Sequence, residues 1–500
     1  MRFDFGLCSA LLLLNAATPQ AGAQGDSREE HPFLSSVFTS NMVLQRDMKD
    51  PIWGWTDPGK GVTITIGGKT VRVKADGHGR WEAKIGPFRA GGPYQMKVSG
   101  RQTVDLTNIL VGDVWICSGQ SNMEMGIGNV NNAKDEIAAA NFPTLRLYTV
   151  QKTVASSPLD SLGRNDGQLF GQWSVCDPRT VATGGWNGFS AVGYFFGREL
   201  NQQLHIPIGL IHTSWGGTIA EAWTSEPALR PLKDFDGALD QIDKVNQGQA
   251  TLDKGNPNVS TVLYNGMIAP LIPYGIKGAI WYQGESNAGR AYQYRRLLPT
   301  MIGDWRTHWG EGDFPFYIVQ LANWQALQKQ PGDDAWAELR EAQSLTAKTA
   351  PHTGIAVIID IGDAADIHPK DKQDVGKRLA LNALAKDYGK RVAYSGPIYR
   401  SMRKHGREIS VRFEHVDRGL VAKGDKPEGF AIAGADRKWV WADAKIAGGT
   451  VVVSSPQVSN PVAVRYAWAI NPICNLYNTA GLPASPFRTD DWPGVTANNK

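Results

Sequence analysis

GDVWICSGQSNME, Gly112 to Glu124, is the stretch whose reading decides the fold. Val114 to Cys117 form an apolar, β-prone run that stops abruptly at Ser118-Gly119-Gln120-Ser121-Asn122. A strand buried in a parallel sheet reads this way, running into a tight polar turn at its carboxyl end. Ligands of open α/β sheets bind at that end. A serine on such a turn, near a glycine that lets the backbone bend sharply, is a candidate nucleophile. An ordinary strand-to-loop serine fits the same residues, so the rest of the chain must supply a base and an oxyanion site.

Downstream of this stretch, strand-like runs alternate with helical ones, the pattern of βαβ units on a parallel sheet. LRLYTV (Leu145 to Val150), IGLIHTSWGG (Ile208 to Gly217), KGAIWYQGESN (Lys277 to Asn287), FPFYIVQLANW (Phe314 to Trp324) and GIAVIIDIGD (Gly354 to Asp363) are the further strands. FSAVGYFFGREL (Phe189 to Leu200) and Asp371 to Gly389 read as helices. Upstream the pattern is all-β: Val62 to Gly68, Thr70 to Asp76 and Arg80 to Gly86 alternate in character and are separated by short turns, as in a hairpin-built sandwich. Alternation returns after Arg391, at Ile409 to Val416, Phe430 to Gly434, Thr450 to Ser455 and Ala463 to Ala469. The expected division is therefore a leader over 1–23, an N-terminal β-sandwich-like module over 31–108, an α/β catalytic domain over 109–390, a C-terminal β-rich module over 391–490 and a polar tail over 491–500.

Composition narrows the classes. The chain has 500 residues, 42% of them hydrophobic and 20% charged, as in a globular protein with more than one domain. A formal charge of +4, with no long Lys/Arg run, leaves no nucleic-acid footprint. Arg2, the apolar run Phe5 to Leu14 and Ala21-Gly22-Ala23 fit a secretory signal cleaved before Gln24, so a periplasmic or secreted protein is expected. No later segment is apolar for long enough to span a bilayer. Once Cys8 leaves with that leader, Cys117, Cys176 and Cys474 remain; a Cys176–Cys474 bridge would suit an oxidising compartment, and Cys117 reads as strand packing. The nine histidines show no metal-ligand spacing, so neither metal nor cofactor is expected.

Four strand ends carry chemistry, and parallel strands would open them on one edge. The first is Ser121. The second is Trp215-Gly216-Gly217-Thr218, whose paired glycines would let backbone N–H groups approach an oxyanion. The third, Gln283-Gly284-Glu285-Ser286-Asn287, offers side-chain amides as donors. The fourth runs from Asp360 to Pro369 and holds His368, with Asp366 and Asp363 shortly before it to fix its tautomer. A serine after the first strand and an Asp/His pair after the last make a workable triad order.

GQSNM (Gly119 to Met123), SWGGT (Ser214 to Thr218), WYQGESN (Trp281 to Asn287) and DIHP (Asp366 to Pro369) together resemble the sialate O-acetylesterase family of the SGNH hydrolase superfamily. Asn471 to Asp490 is similar to that family's C-terminal signature. The resemblance implies an SGNH (flavodoxin-like) three-layer hydrolase domain and a carbohydrate O-acetylesterase. It implies Ser121 as nucleophile, His368 as base and Asp366 as orienting acid, with Asp363 or Glu285 as alternatives because Ala365 stands where the superfamily has aspartate. It also implies an oxyanion hole from Ser121 N–H, Gly217 N–H (second choice Gly216) and Gln283 (second choice Asn287). The expected substrate is an acetylated plant-type glycan such as xylan or xyloglucan; O-acetylated sialic acid is the alternative, for which Arg290 and Arg340 are the candidate carboxylate partners. A catalytically dead carbohydrate-binding protein and a lipase or thioesterase are the readings from other classes.

Overall fold

The computed structural model describes residues 31–163 and 170–500; the expected leader lies outside them. Six strands run parallel: β1 (Thr103–Gly119), β2 (Phe142–Thr149), β3 (Ile208–Ser214), β4 (Gly278–Tyr282), β5 (Phe316–Val319) and β6 (Thr353–Ala356). Their spatial order is β6-β5-β4-β1-β3-β2, and Ser174–Cys176 closes the β2 edge antiparallel. The Val114–Cys117 run is thus the centre of the sheet, flanked on both sides. Registers align Gly119 with Ser214 and with Tyr282, so three polar turns leave the sheet at one level.

Helices cover both faces: α1 (Ser121–Glu124), α2 (Ala191–Leu204), α3 (Ala291–Trp309), α4 (Ala335–Thr349) and α5 (Lys372–Lys386). The Trp115 ring meets Phe196 of α2 at 5.0 Å, which places α2, and α5 packed on it, over one face. Trp281 is level with Ser118, whose side chain points away from Cys117 by strand alternation, and its ring meets Trp305 of α3 at 5.9 Å. α3 and α4 therefore cover the opposite face.

The first half of β1 belongs to a second sheet. Gly91–Ser99 pairs antiparallel with it, Gly61–Ile66 and Lys69–Lys74 extend that sheet, and Val43–Gln45 joins β1 in parallel. One strand thus runs unbroken across residue 108, where the sequence texture changes, with Asn108 in the left-handed region at φ +56. Asp113 locks the junction, taking a bidentate Arg46 and the Tyr388 hydroxyl. Beyond residue 391 lie a sheet of Ile398–His405, Glu408–Glu414, Thr450–Ser454 and Asp443–Ala447, and another built on Phe430–Ala433 and Ala463–Tyr466. These share a core around Val411, Ile432, Val451 and Tyr466. The tail docks as well: Thr496 is buried and donates to Glu338 of α4. Pro32–Lys500 form one compact unit of mixed α/β structure with a large mixed sheet and added β modules.

The Cys176–Cys474 bridge that an oxidising compartment would allow does not form. All three described cysteines are free, and Cys474 Sγ donates to the Ile359 carbonyl instead. Cys117 is buried against Gly193 of α2, and burial pushes its thiol far above the ordinary range. Among the described residues no helix is long and apolar enough to cross a membrane, and no cluster of His, Cys, Asp and Glu could hold a metal ion.

Candidate active site

Three of the four strand ends meet at Ser121. Gly119 ends β1 at φ +140, Gln120 donates its N–H to the Tyr282 carbonyl, and Ser121 becomes the first residue of α1. The first N–H groups of a helix have no intrahelical acceptor; the Ser121 N–H takes none among the described residues. The loop after β6 returns across the sheet edge and sets His368 Nε2 3.0 Å from Ser121 Oγ. On the other side of the ring, Nδ1 lies 3.2 Å from Asp366 Oδ1, which also accepts the His368 backbone N–H.

Of the three candidate acids, only Asp366 touches the histidine. Glu285 is turned to Asn122 at 2.6 Å, and Asp363 caps the Ala365 N–H within its own loop. The Asp366 side chain is 43% exposed, so water screens much of its charge. Partial burial is accordingly the largest influence on His368 and holds its pKa below the ordinary 6.5; Asp366 opposes this, and the Lys372 ammonium adds to it. The imidazole is therefore neutral, and able to accept a proton, at pH 6.5 and above. The acid limb of kcat/KM for a nitrophenyl acetate is therefore expected to have its midpoint under pH 6.5. A limb above pH 7 would contradict this environment for the histidine.

The second strand end divides the labour between its glycines. Gly216 N–H donates to Glu124 Oε2 at 2.6 Å, while Glu124 Oε1 takes Lys152 at 2.6 Å. The second-choice donor Gly216 is thus already committed, although it packs against Ser121. Gly217, at φ +74, has no acceptor for its N–H among the described residues. It is the glycine free to serve an oxyanion.

The third end does not deliver the expected amide. Gln283 is fully buried; its Nε2 donates to the Thr218 carbonyl and to Asn287 Oδ1, and its Oε1 accepts from the Tyr294 hydroxyl. With both N–H bonds used, Gln283 ties the glycine turn to β4 and is not presented to Ser121. Asn287 is equally committed, accepting from Gln283 and the Ala220 N–H and donating to Glu221.

Several residues around the site were not singled out from sequence. Trp186, 39% exposed, stands edge-on to the His368 ring at 4.9 Å, held by the Gly126 N–H on its carbonyl. Lys152 lies 5.2 Å above the Trp215 ring. Asn122 and Lys372 are buried beside the serine and the histidine loop. Asn122 and Glu124 sit in the quoted stretch, but nothing local says which way they turn; Trp186 and Lys152 come from separate loops.

A parallel sheet that opens a serine, a histidine and free N–H groups on its carboxyl edge, in a chain similar to known esterases, defines a carboxylic ester hydrolase. The family model described as carbohydrate esterase, sialic acid-specific acetylesterase, matches residues 111–385. The sialate O-acetylesterases of Pongo abelii and Homo sapiens are each 33% identical, over 93% of this chain and 94% of their own. A carbohydrate acetylesterase structure from Xanthomonas citri is 39% identical, with a TM-score of 0.81 over 92% of this chain and 99% of its own. The chain belongs to the sialic acid-specific acetylesterase family of carbohydrate esterases.

Proposed function

We propose that the chain is an exported SGNH-type serine esterase that removes O-acetyl groups from neutral, plant-type glycans. The 3.0 Å contact between His368 Nε2 and Ser121 Oγ carries this reading. His368 takes the Ser121 proton as Oγ attacks the acetyl carbonyl, and the tetrahedral oxyanion meets the Ser121 and Gly217 N–H groups. Each such donor supplies about 3 kcal/mol of barrier lowering. His368 then protonates the departing sugar oxygen, and the acetyl group stays on Ser121. Water, deprotonated by the same histidine, attacks the acetyl-enzyme and releases acetate. Asp366 orients the imidazole through Nδ1.

The neutral substrate is favoured by where the cations stand. Arg340 is fully buried and donates to the carbonyls of Leu321, Ala322, Ala469 and Ile470, so it is a structural tie. Arg290 is paired with Glu221, and Lys152 with Glu124. Neither candidate arginine is left for a sugar carboxylate, whereas the Trp186 face beside His368 suits a pyranose ring. O-acetylated sialate is the second reading, favoured by the named activity of the Pongo abelii and human relatives. Export rests on the Arg2 to Ala23 pattern, and the β modules over 31–108 and 391–490 would flank the 109–390 catalytic domain.

Acetate release from acetylated xylan and xyloglucan oligosaccharides and from O-acetylated sialic acid decides between the two. The neutral glycans are expected to give the higher kcat/KM by about tenfold or more, the selectivity that ~1.4 kcal/mol supplies. The reverse order would overturn the neutral-glycan assignment.

A further inference from the structure

Asn122, next to the serine in α1, makes hydrogen bonds that link three other parts of the site. Its Nδ2 donates to Glu285 Oε1 at 2.6 Å and to the Ile367 carbonyl at 3.1 Å; its Oδ1 accepts from Lys372 Nζ at 2.5 Å. Asn122 and Lys372 are both about 1% exposed or less. Lys372 Nζ also lies 5.1 Å above the Tyr282 ring. An ammonium on the carbonyl end of the amide and a carboxylate on its NH2 end is the electrostatically favoured order for that dipole. Burial pushes the lysine down to about 7 and raises the Glu285 carboxyl from its ordinary value. Glu285 Oε2 has no hydrogen-bond partner among the described residues; the backbone beside it, the Asn122 amide and the Lys372 charge together offset the burial of the carboxyl.

The chain positions of these partners matter most. Residue 122 follows Ser121, and residue 367 precedes His368. One side chain thus bonds the backbone next to the base while being covalently next to the nucleophile.

Resting on the esterase reading above, we propose that Asn122, clamped between Lys372 and Glu285, is a positioning residue that sets His368 against Ser121. The clamp also gives Glu285 a task other than orienting the histidine. Only Asn fits all three partners: aspartate matches its shape but has no N–H for Glu285 or for Ile367. In Asn122→Asp the carboxylate would keep Lys372, repel Glu285 and leave the Ile367 carbonyl without a donor. The loop then relaxes away from Ser121, and a displacement of ~1 Å at reacting atoms costs about 10²-fold.

The experiment compares wild type, Asn122→Asp and Asn122→Asp/Glu285→Gln. Three readouts are taken: kcat and KM on 4-nitrophenyl acetate, the rate of Ser121 labelling by a fluorophosphonate, and Tm. Asn122→Asp is expected to lower kcat and the labelling rate about 10²-fold, with KM within about threefold of wild type and a lower Tm. Adding Glu285→Gln restores a donor to residue 122 and is expected to return Tm. It still leaves Ile367 without a donor, so kcat and labelling stay low. Recovery of kcat together with Tm would show a purely structural tie and overturn the proposal, as would a single variant with wild-type kcat. If the single variant does not fold, the double variant alone decides by the same criterion. A wild type that is labelled by the phosphonate but releases no acetate would count against the acetylesterase reading, while labelling would still measure the clamp.

Discussion

Ser121→Ala is expected to lower kcat for acetyl-ester hydrolysis by about 10⁴- to 10⁶-fold, with Tm almost unchanged. The hydroxyl is the atom 3.0 Å from His368 Nε2, and removing it leaves nothing to carry the acetyl group. The site is half-buried at Ser121, and no other side chain depends on that Oγ among the described residues, so stability should move by no more than about 1 kcal/mol. What survives is the catalysis available from the free N–H groups of Ser121 and Gly217. Because serine and histidine act as one unit, His368→Ala is expected to cost about as much, and the double variant little more than either. Acetate release measured against an enzyme-free blank checks this. A single variant within tenfold of wild type, or losses that multiply in the double variant, would remove Ser121 and His368 from the reaction.

The parts of this arrangement that the sequence discloses are those set by local chemistry. Apolar runs such as Val114 to Cys117 and Gly278 to Tyr282 had to be buried strands, and a turn had to follow each polar, glycine-bearing end. Parallel pairing then brings those ends together, so Ser121 and the Gly216-Gly217 turn follow almost directly. Asp366 was legible for a similar reason: one residue separates it from His368, and a short loop lets it cap that backbone N–H. Direction was not legible. Gln283 and Asn287 look like free amides in a polar cluster, yet they point into the protein and satisfy each other. Gly216 and Gly217 look equivalent until Glu124, turned back from α1, takes the first N–H. Lys372 was not singled out, because only the tertiary fold buries this first-turn residue of α5 against Asn122 and Tyr282. The limits of β1 were hidden for another reason. A texture change at residue 108 marks where the strand passes from one sheet to another, and hydrogen bonding continues through it.

Gly119→Ala should be the most disruptive single-atom change near the site. Gly119 adopts φ +140, a region L side chains rarely enter, and its hydrogen-bonded neighbours leave no latitude. A Cβ built there would lie 2.1 Å from the Tyr282 carbonyl oxygen and 2.9 Å from the Tyr282 nitrogen. These are backbone atoms of β4, the central strand's partner, and cannot rotate aside. The same Tyr282 carbonyl accepts the Gln120 N–H at 3.0 Å, and the Gly119 carbonyl accepts the Trp215 N–H at 3.1 Å. Relief of the clash must therefore move β1 away from β4, shift the Gly216-Gly217 turn, or both. Positive-φ strain of about 1–2 kcal/mol and overpacking of about 1–3 kcal/mol add to a loss of roughly 2–5 kcal/mol. Ser121 lies two residues on, so folded protein should also lose about 10²-fold in kcat from misplaced reacting atoms. Gly237→Ala supplies the control. That glycine sits in the helix Asp236–Asn246 with open space around its Cα, and alanine there should leave stability equal or up to about 1 kcal/mol higher. Thermal unfolding and initial rates of both variants test the contrast. A Gly119→Ala protein with wild-type Tm and wild-type kcat would mean that the β1–β4 junction is not as tight as drawn, and that Ser121 does not depend on it.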